Sequence, residues 1–313
     1  MVPTAVITAA GVIPAALLID RLIGDPRSAY HPVALIGTFI GLWGKPRNYP
    51  GRLQRLAGVL FWVLTVSLFA LPFFLVQVYA PWYLYLVVAP FFLKSCLAWR
   101  SLEEHTLAVV AALQQGIDDG RKKAGMMVSR DTTALSREQI LSAGYESLTE
   151  NLTDSIVSPL IFFSFLGLAG AALYRAANTM DAMLGYRDER AKIGWFPARM
   201  DDLLNFIPAR ITVVFLLFWF MLVGRAGPAL RIMRRDGHKR PGFNGGIVMA
   251  VMAGGCGIQF EKPGVYSIGD GGRSFDEAGG EIIRATRAVT IMLAIFACSA
   301  LILLGGLINS TGI

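Results

Sequence analysis

Six apolar runs, several of which approach the length that crosses a bilayer, constrain this chain of 313 residues more than any other feature. They are Pro3 to Ile19, Ala57 to Tyr79, Pro81 to Trp99, Ile156 to Ala177, Ile211 to Gly224 and Val289 to Ile308. About 20 apolar residues in helical conformation span the hydrocarbon core. Only 16% of the residues are charged, against roughly a quarter in a soluble domain. The expected fold is therefore all-α: a polytopic membrane protein with about four to six transmembrane helices and helical cytoplasmic loops. No repeat or long linker interrupts it, so 1–313 reads as a single membrane domain with a polar core at about 129–210.

The net charge of +7 is not spread evenly. Basic residues flank apolar runs at Arg21, Arg27, Lys45, Arg47, Arg52 and Arg55, and again at Arg225, Arg231, Arg234, Arg235, Lys239 and Arg240. Such clusters mark cytoplasmic loops. With no basic reader helix and no stacking motif, nucleic acid is not an expected partner. The first apolar run has no basic segment before it and is expected to persist as a helix rather than act as a cleaved signal. The three cysteines form no CxxC pair, which argues against a disulfide framework or a zinc site.

Local signals place the elements between the runs. Gly24 and Pro26 should end the first helix and Pro32 holds His31 extended, so Asp25 and His31 fall on a turn at the membrane surface. Ala57 to Trp99 reads as a helical hairpin turning near Ala80-Pro81, with Tyr79, Trp82, Tyr83 and Tyr85 as an interfacial aromatic belt. In Arg100 to Gln115, Leu102, Thr106, Val109, Val110 and Leu113 share one face, with Glu103, Glu104 and Gln114 elsewhere. Ser136 with Gln139 fits a capping box opening a helix to about Ser155. Gly227 to Pro241 is a basic amphipathic stretch at the interface. Phe243 to Gly257, rich in small residues and beginning near Asn244, allows close packing of helices or of a ligand.

Polar residues recur at helical spacing between the runs. Glu146, Glu150 and Asp154 share one face, and like charges in register require something positive opposite: Mg²⁺, arginines, or both. A solvated helix face is the plain alternative. Arg175, Asn178 and Asp181 share another face, where Arg175 would grip a phosphate or simply pair with Asp181. Arg187, Arg190 and Lys192 offer a further phosphate contact or a surface loop. Arg199, Asp201, Asp202 and Asn205 crowd together just before Arg210, as a carboxylate cluster or as helix caps. Ionisable groups are costly at membrane depth, so this density suggests a membrane-embedded catalyst or carrier. If every run spans, 144–155 and 178–209 fall on opposite sides. Either Ile156 to Ala177, with Pro159, Ser164, Gly167 and Gly170, is re-entrant, or the site lies at membrane depth. No Walker sequence, GxSxG or HExxH occurs, which excludes a P-loop and two common hydrolase classes.

The order of these residues resembles the CobD/CbiB family of cobalamin biosynthesis. Gly24-Asp25-Pro26 with His31-Pro32-Val33, Val128-Ser129-Arg130-Asp131-Thr132 and Glu146-Ser147-Leu148-Thr149-Glu150-Asn151 are similar to its motifs. So are Tyr174-Arg175-Ala176-Ala177-Asn178-Thr179-Met180-Asp181, Gly185-Tyr186-Arg187, Ala198-Arg199-Met200-Asp201-Asp202, Asn205 to Arg210 and Gly264-Val265-Tyr266. The departure lies at Asn244 to Gly257, where the family often has SPNxGWPEA. Here the Ser and Pro are missing and Met249 stands at the position of the Glu.

The resemblance implies an adenosylcobinamide-phosphate synthase. Adenosylcobyric acid would be joined to (R)-1-amino-2-propanol O-phosphate, or a related amino alcohol, with ATP consumed and Mg²⁺ required. It implies Glu146, Glu150 and Asp154, or Asp201 and Asp202, as metal ligands. Arg130, Arg175, Arg199 and Arg210 would hold phosphates, and Asp131 or Asp181 would position or deprotonate the amine, beside catalytic Glu146 and Glu150. Asp25, His31, Asn151, Asn178, Arg187, Asn205 and Asn244 would contact substrate. The implied setting is the cell membrane, with membrane lipid around the chain, motif loops on the cytoplasmic side, and other membrane-bound enzymes of nucleotide-loop assembly as partners. The rival readings are an AmpE-like membrane sensor without ligase activity and a transporter, for which no inverted repeat is visible.

Overall fold

The computed structural model describes residues 2–25 and 31–311, with side chains over 9–25 and 31–305. Pro26 and Arg27, named above, lie outside the described residues. The chain is helical almost throughout, as expected. Four stretches are long and apolar enough to cross a membrane by length and composition: Gln54–Tyr79, Trp82–Gln115, Arg137–Leu184 and Phe275–Gly305. The pair Trp195–Leu204 and Phe206–Leu222 makes a fifth if counted as one broken span. The chain forms two compact units, one from Met1–Ala98, Asp154–Asn205 and Ala294–Ile313, the other from Trp99–Thr153 and Phe206–Leu293. The polar stretch 129–210 is thus divided between them.

In the first unit, α1 (Val2–Ile23) packs on α4 (Trp82–Lys94). The predicted hairpin forms: α3 (Gln54–Tyr79) ends at the extended Ala80, and Pro81 leads into α4. Tyr79, Trp82 and Tyr83 stand exposed at this turn, as a belt requires. The core joins Ile36, Ile40 and Trp43 of α2 (Pro32–Trp43) to Val66 of α3, with Ala176, Met180 and Leu184 from α8 (Ser158–Leu184). Trp43 stacks on Phe61 with ring centroids 5.2 Å apart.

α8 does not run straight. Gly167 has φ +68°, a left-handed value that breaks the helix and that side chains resist. A Cβ there would meet the Gln77 Oε1 at 2.5 Å, and that oxygen accepts the Ala169 N–H at 3.1 Å. Ser158 Oγ and the Tyr174 hydroxyl, from opposite arms, both donate to Asn205 Oδ1, at 2.7 and 2.8 Å. A straight helix would hold the two residues roughly 24 Å apart at 1.5 Å per residue. Phe162 also stacks on Tyr174. Residues 158–184 therefore fold back on themselves as a helical hairpin, with Phe165 and Leu166 exposed at its tip.

Pro159 does not end the preceding helix, as the sequence suggested it would. α7 (Arg137–Leu152) runs through a π turn at Thr153–Val157 straight into α8. Proline cannot donate to the carbonyl four residues back. That carbonyl, on Ser155, accepts the Ala98 N–H instead, at 3.1 Å. A local π turn accommodates the mismatch.

In the second unit, α7 opens with the predicted Ser136–Gln139 capping box and packs on α5 (Trp99–Gln115) and α6 (Ile117–Gly125). Thr106, Val109 and Leu113 of α5 are buried, as expected, but Glu103 is buried with them. Arg287 forks onto the Glu103 carboxylate at 2.6 and 3.1 Å and the Trp99 indole N–H donates to it at 2.8 Å. α10 (Phe206–Leu222) and α11 (Ala226–Asp236) pack on α12 (Gly245–Cys256). A Cβ at Gly254 would lie 2.6 Å from the Pro228 carbonyl oxygen, so glycine sets the closeness of α11 and α12. α13 (Phe275–Thr311) belongs to this unit up to Leu293.

One element goes beyond the all-α expectation. β1 (Gln259–Lys262) and β2 (Tyr266–Gly269) form an antiparallel hairpin in which Phe260 pairs with Ile268, both fully buried. Its turn carries Pro263 and, with φ +72°, Gly264.

Candidate functional site

In the second unit the hairpin and α7 build a carboxylate–arginine centre. The Glu261 N–H of β1 donates to Ser142 Oγ at 2.8 Å, which fixes the hairpin on the helix. Ser142 in turn donates to Glu146 Oε1 at 3.0 Å. Glu146 Oε2 accepts Arg130 Nη2 at 2.7 Å and the Tyr266 hydroxyl at 3.1 Å. Arg130 Nη1 reaches the Glu261 carbonyl oxygen at 3.1 Å. Both partners of this ion pair are buried. Burial first, and the Glu146 charge second, push the Tyr266 phenol well above its ordinary range, so it remains a donor. Desolvated charges of this kind depend on such pairing and on the further hydrogen bonds from Ser142 and Tyr266.

One turn beyond, the Glu150 carboxylate is paired with Arg240 from the segment between α11 and α12, and both are partly exposed. Asn244, on the same segment, accepts from Arg210 Nη1 at 2.6 Å, and Arg210 Nη2 donates to the Phe243 carbonyl at 3.2 Å. Arginines thus stand opposite two carboxylates of this face, Arg130 at Glu146 and Arg240 at Glu150. Asn151 turns back on its own helix and donates to the Ser147 carbonyl at 2.9 Å. Asp131 is exposed and accepts the Thr133 N–H and hydroxyl at 2.9 and 2.7 Å. These bonds, the backbone one foremost, hold its carboxyl below the ordinary range and weaken it as a base.

The first unit carries its own polar cluster. Asn205, at the end of α9 (Trp195–Leu204), accepts from Ser158 and Tyr174 and donates to Asp201 Oδ2 at 3.0 Å. Asp201 Oδ1 accepts from Asn178 at 3.2 Å. Asn178, Asp201 and Asn205 thus form one chain of bonds. Arg175 does not join it and makes no ion pair with Asp181. Its guanidinium donates from Nε to the Cys96 carbonyl at 2.9 Å and again from Nη2, capping the broken end of α4. Asp25 binds Lys94, and His31 lies 3.7 Å from the same Asp25 oxygen. The His31 Nδ1 accepts the Val33 N–H at 3.4 Å and so caps α2. Burial outweighs Asp25 and lowers the His31 pKa.

Arg187 and Arg199 are exposed, while Asp154, Asp181 and Asp202 are half-buried. Among the described residues no three His, Cys, Asp or Glu side chains come together as a metal cage. Sequence reasoning passed over Ser142, Lys94 and Glu261 and read Arg240 only as a flanking charge. Tyr266 was present solely as part of a motif.

The model of the family described as CobD/Cbib protein matches residues 13–295 of this chain. The chain belongs to the CobD/CbiB family. It is 41% identical over 288 residues to the "Probable cobalamin biosynthesis protein CobD" of Methanothermobacter thermautotrophicus, covering 91% of this chain and 94% of that one. The protein of the same description from Pyrococcus abyssi is 40% identical, over 80% of this chain and 82% of its own. "Cobalamin biosynthesis protein CobD" of Dehalococcoides mccartyi is 36% identical, over 82% and 85%. No solved structure matches the chain. The CobD/CbiB membership makes this a cobalamin biosynthesis protein, and its apolar helices suit a multi-pass membrane setting. Met249, where the family often carries Glu, is fully buried within α12.

Proposed function

We propose that the protein is an adenosylcobinamide-phosphate synthase, joining adenosylcobyric acid to an amino alcohol phosphate with ATP as co-substrate. The observation that carries this reading is the pair Glu150–Arg240, partly exposed beside the buried Glu146–Arg130 pair. The buried pair holds the helix face and hairpin rigid. The exposed pair presents one carboxylate and one forked cation to solvent, the combination that phosphoryl transfer and amine deprotonation require.

In this reading a corrinoid propionate oxygen attacks the terminal phosphorus of ATP and ADP departs. The amine nitrogen then attacks the acyl carbon, phosphate leaves, and the amine proton passes to a base. Arg240 neutralises charge on the transferred phosphoryl group, a task a bidentate guanidinium performs better than lysine. Glu150 is the acceptor for the amine proton. The donor set fits Mg²⁺ as well, since that ion takes one or two carboxylates and completes its shell with phosphate oxygens and water. Glu150 would hold it, supplying charge neutralisation between phosphates. Within the first unit, taken by itself, Asp201, Asn178 and Asn205 are assigned to substrate contact, Asp154 and Asp202 to metal binding and Arg199 to phosphate contact.

The alternative of an AmpE-like sensor draws no support from a centre of this kind, because ligand sensing needs no partly exposed carboxylate beside a phosphate clamp. The test is a product assay. Purified protein in detergent is mixed with Mg²⁺-ATP, adenosylcobyric acid and aminopropanol phosphate, and the corrinoid mass is recorded. An amide product that forms only with ATP is the expected result. No product with any of several amino alcohol phosphates, from folded protein, would favour the sensor.

A further inference from the structure

A second basic cluster lies outside the residues used above. α10 emerges from its apolar run at Val223, and Arg225 follows in the turn before α11. Glu281, one face of α13, receives Arg225 and also Arg273, whose two terminal nitrogens stand 2.8 and 3.0 Å from its oxygens. Arg284 approaches the same carboxylate at 4.0 Å. Three guanidiniums therefore converge on one carboxylate. The nearby Glu277 is engaged at the start of α13, accepting the Ser274 N–H at 3.3 Å. The cluster holds surplus positive charge, and the side chains of Arg225 and Arg284 are 41% and 67% exposed.

A cavity of about 160 Å³ opens beside these arginines, lined by Trp219, Phe220, Val223, Arg225, Glu281 and Arg284. One wall is apolar and adjoins the exposed Met221 and Leu222 at the end of α10 and Val223 just after it; the other is cationic. Glu281 and Arg284 lie within about 12 Å along α13 of the apolar run that begins at Val289, at 1.5 Å per residue. Both walls thus adjoin apolar runs of α10 and α13 that are candidate spans, and the lining includes a Trp, the residue type enriched at membrane interfaces. The volume is well below the roughly 300 Å³ at which drug-sized ligand pockets begin, so a corrinoid is excluded.

We propose that this cavity binds the headgroup of an anionic phospholipid, its phosphate on Arg225 and Arg284 and its chains along Trp219 and Val223. A free phosphate would use only the cationic wall and a neutral lipid only the apolar one. Surplus positive charge at the interface selects an anionic headgroup over a zwitterionic one.

The test is native mass spectrometry of the full chain in detergent, offered equal amounts of phosphatidylglycerol and phosphatidylcholine. Wild type is expected to retain phosphatidylglycerol several-fold over phosphatidylcholine, undiminished by millimolar inorganic phosphate. Arg225→Gln with Arg284→Gln should abolish the preference, and Arg284→Gln alone, which leaves Glu281 paired with Arg225 and Arg273, should weaken it. Arg231→Gln with Arg234→Gln on α11 should leave it intact. Equal retention of the two lipids by wild type would overturn the proposal, as would an unchanged preference in the double variant or displacement of the lipid by phosphate alone.

Discussion

Ser158 and Tyr174 donate their hydroxyl hydrogens to the same atom, Asn205 Oδ1. That shared acceptor, together with the left-handed Gly167, turns an apolar stretch of spanning length into a hairpin that re-enters on itself. The turn brings Ser158 to the end of the Asn178–Asp201–Asn205 chain of bonds.

Gly167→Ala should therefore destabilise the protein by about 1–3 kcal/mol, the usual strain of a side chain held at such backbone angles. The Gln77 contact at 2.5 Å adds to the cost. Gln77→Ala should also destabilise, because the Ala169 N–H loses its acceptor where water is scarce. Unfolding in mixed micelles measures both. A wild-type midpoint in Gly167→Ala would contradict the hairpin.

Removing Arg130 alone leaves Glu146 as a buried, uncompensated charge, which typically costs about 3–5 kcal/mol. Arg130→Met combined with Glu146→Gln should be less destabilised than Arg130→Met alone. A double-mutant cycle on the unfolding midpoint reads the coupling. Simple additivity would mean that the two side chains do not act as a pair.

Several of these features were legible in the sequence because they are local. The Ser136–Gln139 box lies within one turn, and the hairpin turn at Ala80-Pro81 and the small residues of α12 announce themselves by residue type. Gly167 and Pro159 marked a break in this run, but the bonds that fold it into a hairpin come from Gln77 and Asn205. The β hairpin escaped notice because two four-residue strands are too short to show a period, although Pro263-Gly264 favours a tight turn. The partners of Glu150 and Glu103 lie 90 and 184 positions away, beyond any spacing rule. For the same reason Arg175 read as a phosphate clamp or an Asp181 partner, when its Cys96 contact depends on how α4 breaks.

Acid should weaken the start of α2. The His31 Nδ1 must be unprotonated to accept the Val33 N–H, and its pKa lies below the ordinary 6.5. A folded pKa below the unfolded one means that the contribution is complete above about 6.5 and is lost as pH falls through the folded value. His31→Asn keeps a capping oxygen without the titration. The melting temperatures of wild type and His31→Asn should differ by a constant amount above neutrality, and wild type should lose ground in mild acid. Parallel curves across the whole range would remove His31 as the titrating group.

Glu150→Gln should fold normally, because the side chain is 37% exposed, yet lose about 10²–10⁴-fold in kcat, the scale of general-base catalysis. Arg240→Lys should chiefly raise the KM for ATP, since lysine lacks the fork. Steady-state kinetics on both variants separates the roles. Full activity in Glu150→Gln would take the proton-acceptor role away from it.

The central claim is that ATP activates the corrinoid carboxylate by phosphoryl transfer before the amine attacks. Adenosylcobyric acid carrying ¹⁸O in the reacting carboxylate tests this directly, with the inorganic phosphate released during turnover read by mass spectrometry. One ¹⁸O atom in the phosphate, appearing in step with the amide product, is the expected result. Amide formed with unlabelled phosphate, or phosphate released without any amide, would contradict it.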